Sequence, residues 1–389
     1  MDIVFTSFAY YPETSGVPIV VQYLAEGLSH RGHNVTVVTR MNGNALPATE
    51  TINGVRIVRF DCGQNLFKKD VGDCIGYINY VVDIPKDVLI MECLQCHTTD
   101  ILFPYLDRMK CKKIIHAHGA PGIRMKPFGW EGDIIHTIGH THNWMRWKKY
   151  YGFTLPKYAS KIDAGICLSL CASDIGCFSK LLPKVCILEN AANAMFFDDN
   201  NIKDVQNIIK IKNKRYILNI SNYTEGKNQI LLMKSFAKTG IKDVSLVFIG
   251  SADNDYYHKC KKYADRLAKT MGIDIVLLHH VDRQYFPSIL RNAALFATTS
   301  KIEEYPVSLV EAMAVGTPFL STPVGNAHIL PGGVTSRSNG EIPSLLKVLL
   351  SNEYLLNKLG KQGKRYAAEN NRVEIAIDNI EQILNSVVG

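Results

Sequence analysis

Glu303 and Glu311 stand eight positions apart in Ser300-Lys-Ile-Glu-Glu-Tyr-Pro-Val-Ser-Leu-Val-Glu-Ala-Met-Ala-Val-Gly-Thr-Pro-Phe-Leu, and ionised carboxylates accept hydrogen bonds from hydroxyls. The surrounding elements say where each would sit. Leu295-Phe-Ala-Thr-Thr reads as a buried strand that stops at Ser300. Pro306 suits the first turn of a helix, because the amide it lacks would have no partner there. Gly316 and Pro318 stop that helix, and Pro318-Phe-Leu-Ser-Thr starts the next strand. Glu303 therefore falls in a loop at the carboxyl end of a strand, the edge where open α/β sheets bind ligands. The amides of Val307, Ser308 and Leu309 at the helix start would face an anion, with the helix dipole favouring it. One carboxylate for hydroxyls, one helix start for phosphate and a second carboxylate a turn or two in suit a nucleotide sugar.

The segment resembles the E-x7-E motif of retaining glycosyltransferases with the GT-B fold, specifically glycosyltransferase family 4. Ser300, Glu303, Tyr305, Pro306, Glu311, Ala312, Met313, Ala314, Gly316 and Pro318 fit the family form, while Glu304 replaces its usual glycine. Two glutamates at this spacing alone also fit an ordinary solvated helix; Pro306, Ala-Met-Ala and Gly-Thr-Pro carry the resemblance. It implies that Glu303 holds donor-sugar hydroxyls and Glu311 the ribose. Tyr305 and Pro306 join Val307, Ser308 and Leu309 among the substrate-binding positions. It further implies no metal and no cofactor, the nucleotide sugar being a co-substrate.

Further segments extend the likeness. Ile220-Ser-Asn-Tyr-Thr-Glu-Gly-Lys-Asn resembles the family segment whose Arg and Lys hold the donor diphosphate. Lys227 fits the Lys and Asn222 stands where Arg is common, so a diphosphate would lose one fork-shaped cation there. Thr14-Ser-Gly16 replaces the family's Gly-Gly with Ser15-Gly16, and no G-x-G-x-x-G follows the first strand, which argues against a nicotinamide dehydrogenase. His118-Gly119 ends the strand Ile114-Ile-His-Ala-His and resembles the family's His-Gly, which orients the sugar. His116 and His97 are expected to point elsewhere or to lie on another strand. Glu189-Asn-Ala-Ala-Asn193 departs from the family's P-N-G-V-D at Ala191 and Asn193, which weakens an acceptor or hinge role there. Asp253-Asn-Asp255 has the spelling of metal-dependent transferases but reads as a solvated loop. Cys93-Leu-Gln-Cys96-His97 has no second ligand pair at zinc-finger spacing and reads as a continuation of the strand Val88-Leu-Ile-Met-Glu.

The elements that position these residues alternate strand and helix, which implies parallel sheets. The 389 residues suit two domains, and 47% hydrophobic with 21% charged residues describe a globular chain. The alternation by itself gives two α/β domains; the family resemblance implies the GT-B fold, two Rossmann-like domains facing across a cleft. It implies 1–196 as the acceptor domain, 197–372 as the nucleotide-sugar domain, and 373–389 as a helix crossing back to the first. Residues from Pro343 onward read as helical.

Ten scattered cysteines fit reduced thiols, no apolar run reaches the length of a membrane span, and Met1-Asp-Ile-Val-Phe-Thr runs straight into a strand without a secretion signal. These features give the expectation of a cytoplasmic protein. Net charge is +8, concentrated between Arg108 and Lys161, where eleven cations stand against Glu131 and Asp133. Residues 143–153, Asn-Trp-Met-Arg-Trp-Lys-Lys-Tyr-Tyr-Gly-Phe, mix rings and cations in a way that suits the inner face of a membrane or a lipid-linked acceptor, and no other motif supports nucleic acid.

The resemblance thus implies a retaining hexosyl- or N-acetylhexosaminyltransferase. It would move sugar from a nucleotide sugar, with uridine favoured, to a glycan or lipid-linked acceptor in surface-polysaccharide assembly. A sugar-nucleotide epimerase and a non-catalytic sugar-binding subunit of the same fold are the alternatives.

Overall fold

The structure, a computed structural model, describes residues 1–13, 16–41, 46–65, 69–124, 134–200 and 202–389. The chain divides into two compact units, Met1–Glu189 with Glu374–Gly389, and Asn190–Val373. Thr14, Ser15, Glu131 and Asp133 lie outside the described residues.

In the first unit the strands are β1 (Asp2–Ser7), β2 (Asn34–Arg40), β3 (Thr49–Ile52), β4 (Val55–Phe60), β5 (Cys62–Gln64), β6 (Asp70–Gly72), β7 (Val88–Glu92), β8 (Lys112–His116), β9 (Ala164–Cys167) and β10 (Val185–Ile187). Eight of them form one sheet in the order β10-β9-β8-β7-β1-β2-β4-β3, and β5 and β6 pair separately. The central strands are continuous apolar runs because both faces are covered, as in β1 and β7, where Ile3, Phe5, Leu89 and Ile90 are fully buried. Every pairing in the large sheet is parallel except β3 with β4. Asn53-Gly54, with φ of 49° and 82°, turns that edge hairpin, and Asn-Gly is the residue pair that favours such a turn. The expectation of a purely parallel series overlooked it. Going out from β1, the chain fills one side with β2 and β4 and then the other with β7 to β10. The order therefore reverses between β1 and β7, and open sheets bind ligands beyond the strand ends at such a reversal.

The helix Val373–Val388 belongs, from Glu374 on, to the first unit. Glu381 accepts from Arg31 at 2.7 Å and pairs with His33 at 2.8 Å, and Lys184 donates to the Ser386 carbonyl at 2.7 Å. Gly27 leaves room for Ile377, whose side chain would collide with any Cβ there. The expected return of the last helix to the first domain is what these contacts describe.

The second unit has a parallel six-stranded sheet of β11 (Arg215–Ile220), β12 (Val244–Gly250), β13 (Ile275–His279), β14 (Leu295–Thr298), β15 (Phe319–Ser321) and β16 (Gly333–Thr335). Its order is β13-β12-β11-β14-β15-β16, so the reversal falls between β11 and β14. The three-residue β16 is too short to stand out in the sequence. Helices Ile342–Ser351 and Glu353–Asn370 follow.

One local expectation is corrected. β7 stops at Glu92, and Cys93 and Gln95 take φ of 67° and 55°, so the C-x-x-C segment is a tight loop and not more strand. All ten cysteines are free, and burial pushes the thiols of Cys93 and Cys96 upward. Asp253-Asn-Asp255 is exposed, the solvated loop expected, and leads into the helix Asp255–Met271: Asn254 caps it by accepting from the Tyr257 amide at 2.9 Å, and Asp253 pairs with His258.

Candidate active site

The reversal between β11 and β14 brings two loops of the second unit together. The loop after β11 carries Asn222 and Lys227, and the loop after β14 carries Glu303. Lys301 donates its amide to the Gly226 carbonyl at 2.8 Å, and Thr299 Oγ1 donates to the Asn228 carbonyl at 2.9 Å, so the loops are stitched by backbone. Buried Gln229 donates to the carbonyl of Asn222 at 3.0 Å and to Ser221 Oγ at 2.9 Å. Across this seam Lys227 Nζ meets Glu303 Oε1 at 2.5 Å, with side chains 32% and 16% exposed. Asn222 is exposed and its side chain makes no hydrogen bond among the described residues.

Glu303 is placed by what lies behind it. Gly325 has φ of 51°; a Cβ there would strike the Glu304 carbonyl and sit 2.9 Å from that of Glu303. Asn326 donates its amide to the Glu304 carbonyl at 3.2 Å. Neither residue figured among the expected site positions, since a lone Gly-Asn downstream of the motif carries no local signal.

The helix after the loop is Val307–Val315, with Pro306 just before it and no side-chain cap. The amides of Val307 and Ser308 have no partner among the described residues, as the first donors of a helix need one from outside. The Leu309 amide is already bonded to the Pro306 carbonyl at 3.0 Å, so two of the three expected amides are open and the third is not. Tyr305 also differs from expectation. Its ring is buried, its hydroxyl accepts from Asn371 at 2.9 Å and its carbonyl accepts from Asn190 at 2.9 Å. Asn371 donates from the same amide to the Asn190 carbonyl. Tyr305 thus anchors the loop and does not present its ring to a ligand. Pro306 is buried beside it.

Glu311 lies within the helix, 3% exposed, and pairs with Arg283 from the loop after β13. Burial pushes its carboxyl up, and the guanidinium opposes that. Arg283 also lies over the Phe196 and Phe286 rings. Nothing in its own neighbourhood of sequence singles it out; only the fold brings it to Glu311.

The first unit carries Gly16 and His118 at its carboxyl edge. Gly16 precedes the helix Val17–His30 with φ of 59° and ψ of −136°, a conformation open to glycine alone, and nothing lies within 4 Å of where its Cβ would be. β8 ends at His116, two residues short of the expected end, and His118 sits in the loop with φ of 55°. The expectation that His116 points elsewhere is corrected: the register of β7 with β8 sets His116 beside Glu92, and His118, turned back in the loop beyond, meets the same carboxylate. The rings of His116 and His118 lie 3.8 Å apart, and both meet Glu92, His118 Nε2 at 2.5 Å and His116 Nδ1 at 3.1 Å from Oε2. Glu92 is fully buried, the register partner of His116 at the end of β7. Burial alone would raise its carboxyl, but the two imidazoles hold it below the usual range. Burial, aided by His116, holds His118 below the usual imidazole range. Among the described residues, Glu92, His116 and His118 offer three possible metal-ligand atoms within 4.8 Å of one another. His97 stands apart, beside Asp70 at 3.1 Å.

Residues 143–153 span the end of the helix Ile134–Lys149 and a π-helical stretch, Tyr150–Thr154. The rings do not all face outward. Trp147 stacks on Tyr151 with centroids 5.7 Å apart, and Tyr150 is buried, donating to Asp100 at 2.6 Å. Ile138, Met145 and Phe153 are exposed, alongside Arg146, Lys148 and Lys149. Among the described residues, no helix is long and apolar enough to cross a membrane.

Residues 200–366 match the family model of glycosyl transferases group 1. An uncharacterized glycosyltransferase of Methanocaldococcus jannaschii is 24% identical over 343 residues, 84% of this chain and 81% of that protein. The sucrose-phosphate synthase of Thermosynechococcus elongatus superposes with a TM-score of 0.77 at 14% identity, over 99% of this chain and 98% of the other. The fold is GT-B. Anabaena HepE, solved in complex with UDP and glucose, is a further likeness, with a TM-score of 0.67 at 14% identity over 99% of this chain and all of that one. The matched stretch of the GT-B chain contains Asn222, Lys227, Glu303 and Glu311. The matched family model and the relative are both of glycosyltransferases.

Proposed function

We propose that the protein transfers a sugar from a nucleoside diphosphate sugar to an acceptor hydroxyl. The observation that carries this is the Lys227–Glu303 pair at the strand reversal of the second unit, beside the unpartnered amides of Val307 and Ser308. A cation and a helix start suit a diphosphate; a carboxylate next to them suits sugar hydroxyls. In the reaction Lys227 and the two amides stabilise the leaving diphosphate as its charge develops, usually the largest catalytic contribution. Asn222 adds a neutral contact where a second cation would stand in the family. Glu303 holds the sugar and Glu311 with Arg283 the ribose; for Gly16 and His118 of the first unit, close approach of the donor to the backbone and a hydrogen bond to a sugar hydroxyl are the roles the family resemblance implies.

The reading extends by the family resemblance to retention at the anomeric carbon, the leaving phosphate taking the acceptor's proton, with no protein nucleophile and no metal. A UDP-hexose or UDP-N-acetylhexosamine is the favoured donor, supported by the likeness to HepE, solved with UDP and glucose. Exposed Ile138, Met145 and Phe153 among Arg146, Lys148 and Lys149 support a lipid-linked glycan acceptor at a membrane surface, on the cytoplasmic side, in polysaccharide assembly.

Incubation with UDP-, GDP- and ADP-sugars, with and without lipid-linked and free glycan acceptors, tests the reading. Free nucleotide released together with a glycosylated acceptor is the expected result. An altered sugar without acceptor would make the protein an epimerase, and no change with any donor would reduce it to a binding subunit.

A further inference from the structure

We infer that Glu92 is a positioning residue that sets the tautomer of His118, taking its Nε2–H and leaving Nδ1 as a hydrogen-bond acceptor for a substrate hydroxyl. The inference rests on His118 meeting the sugar.

Glu92 Oε2 lies 2.5 Å from His118 Nε2 in a hydrogen bond, and 3.1 Å from His116 Nδ1 without hydrogen-bond geometry. A buried carboxylate at this distance from His118 Nε2 requires a proton on that nitrogen, because a lone pair turned toward the anion would repel it. The neutral His118 ring then has its lone pair on the other nitrogen. For His118 that nitrogen is Nδ1, which makes no hydrogen bond among the described residues. Neither ring nitrogen of His116 makes a hydrogen bond among the described residues, and its side chain is 1% exposed, so His118 alone of the two rings is bonded to Glu92.

The surrounding backbone holds this arrangement. Thr99 Oγ1 donates to the Glu92 carbonyl at 2.9 Å, and the Cys93 amide donates to the His116 carbonyl at 2.9 Å, so the ends of β7 and β8 are tied together. Beyond His118, the Gly119 amide donates to Asp174 Oδ2 at 3.2 Å and the Ala120 amide to Ser173 Oγ at 2.7 Å. Burial, with His116 adding to it, disfavours a charged His118, which agrees with a neutral ring.

A neutral acceptor has a consequence for specificity. A lone pair on Nδ1 takes an O–H and turns away a phosphate oxygen, so His118 belongs with the sugar and not with the diphosphate. An imidazolium at this position would do the reverse.

Long-range proton–nitrogen spectra of ring-15N-labelled protein test the inference. Wild-type His118 should show a protonated Nε2 and a pyridine-like Nδ1. Glu92→Leu removes the acceptor; its His118 should become a tautomer mixture and kcat should fall about tenfold with donor KM nearly unchanged, the scale of one misplaced hydrogen bond. Glu92→Gln keeps an oxygen acceptor and should restore most of the rate. A wild-type His118 protonated at Nδ1, or purified protein carrying a stoichiometric divalent metal at Glu92, His116 and His118, overturns the inference. So does an unchanged tautomer in Glu92→Leu. If that variant fails to fold, the wild-type spectrum still decides. His118→Ala separates this from the function: full transfer in that variant removes His118 from the sugar site, whereas loss there with an unaffected Glu92→Leu sinks only the role of Glu92.

Discussion

Lys227 and Glu303, 76 residues apart in the chain, meet at 2.5 Å on either side of the point where the second sheet reverses its strand order. The pair is partly exposed, so its mutual attraction is worth little beyond what solvent would supply. Its interest is chemical: in the function proposed above, a donor displaces each partner from the other, the ammonium going to phosphate and the carboxylate to sugar.

Replacing Glu303 by Gln therefore has two opposite effects. Transfer should fall roughly 100-fold or more, as for removal of one group that stabilises the transition state. Affinity for the bare nucleoside diphosphate should rise about two- to fivefold, because Lys227 is no longer held by a surface-grade ion pair. Calorimetry beside initial rates checks both signs; weaker diphosphate binding would contradict the competition between the partners.

Gly325→Ala should displace the Glu303 loop from behind. The left-handed φ and the collision with the Glu304 carbonyl make the change cost about 1–3 kcal/mol of stability. Urea unfolding measures that loss, and transfer should drop at temperatures where the variant is still folded.

Arg283→Met leaves the buried Glu311 carboxylate without its cation. The loss should be about 2–3 kcal/mol, below the cost of a fully buried broken pair because Arg283 is itself partly exposed. Adding Glu311→Leu should recover most of it in denaturant unfolding, since removing both partners removes the uncompensated charge.

Acid should weaken the first unit through Glu92 and His118. Both have native pKa values below their ordinary ones of 4.5 and 6.5. Below each ordinary value the unfolded chain binds a proton that the native state does not, so this contribution is present near neutrality and fades as pH falls below 6.5. Asp100, pushed up to about 7 by burial and only partly offset by its bond from Tyr150, works in the other direction. The test is therefore a difference: the fall in stability toward acid should be shallower in Glu92→Gln than in the wild type.

The donor half of the site was legible because its residues are local. Glu303, Pro306, Ala312-Met-Ala and Gly316-Thr-Pro lie within one loop and helix, and Lys227 lies one loop after a strand, so spacing alone locates them at the carboxyl edge. The parallel alternation was legible as a periodic pattern, whereas the return of the helix Val373–Val388 to the first unit came from the family resemblance. Partners from distant segments were not. Arg283 reaches Glu311 only through the order of β13 to β16, Gly325 reaches Glu304 from across a strand, and Glu92 reaches His118 through the pairing of β7 with β8. Tyr305 looked like a ligand contact because it sits inside the motif; its partner, Asn371, lies just past the end of the later helix Glu353–Asn370.

The most direct test of the donor site is calorimetric titration of UDP, GDP and ADP into the wild type and into Lys227→Met. One nucleoside diphosphate should bind the wild type, and the variant should bind it roughly 10- to 100-fold more weakly, the range for a hydrogen bond to a charged group. Equal affinity in the two proteins, or no binding of any diphosphate to the wild type, would contradict the placement of the donor between Lys227, Glu303 and the start of the helix Val307–Val315.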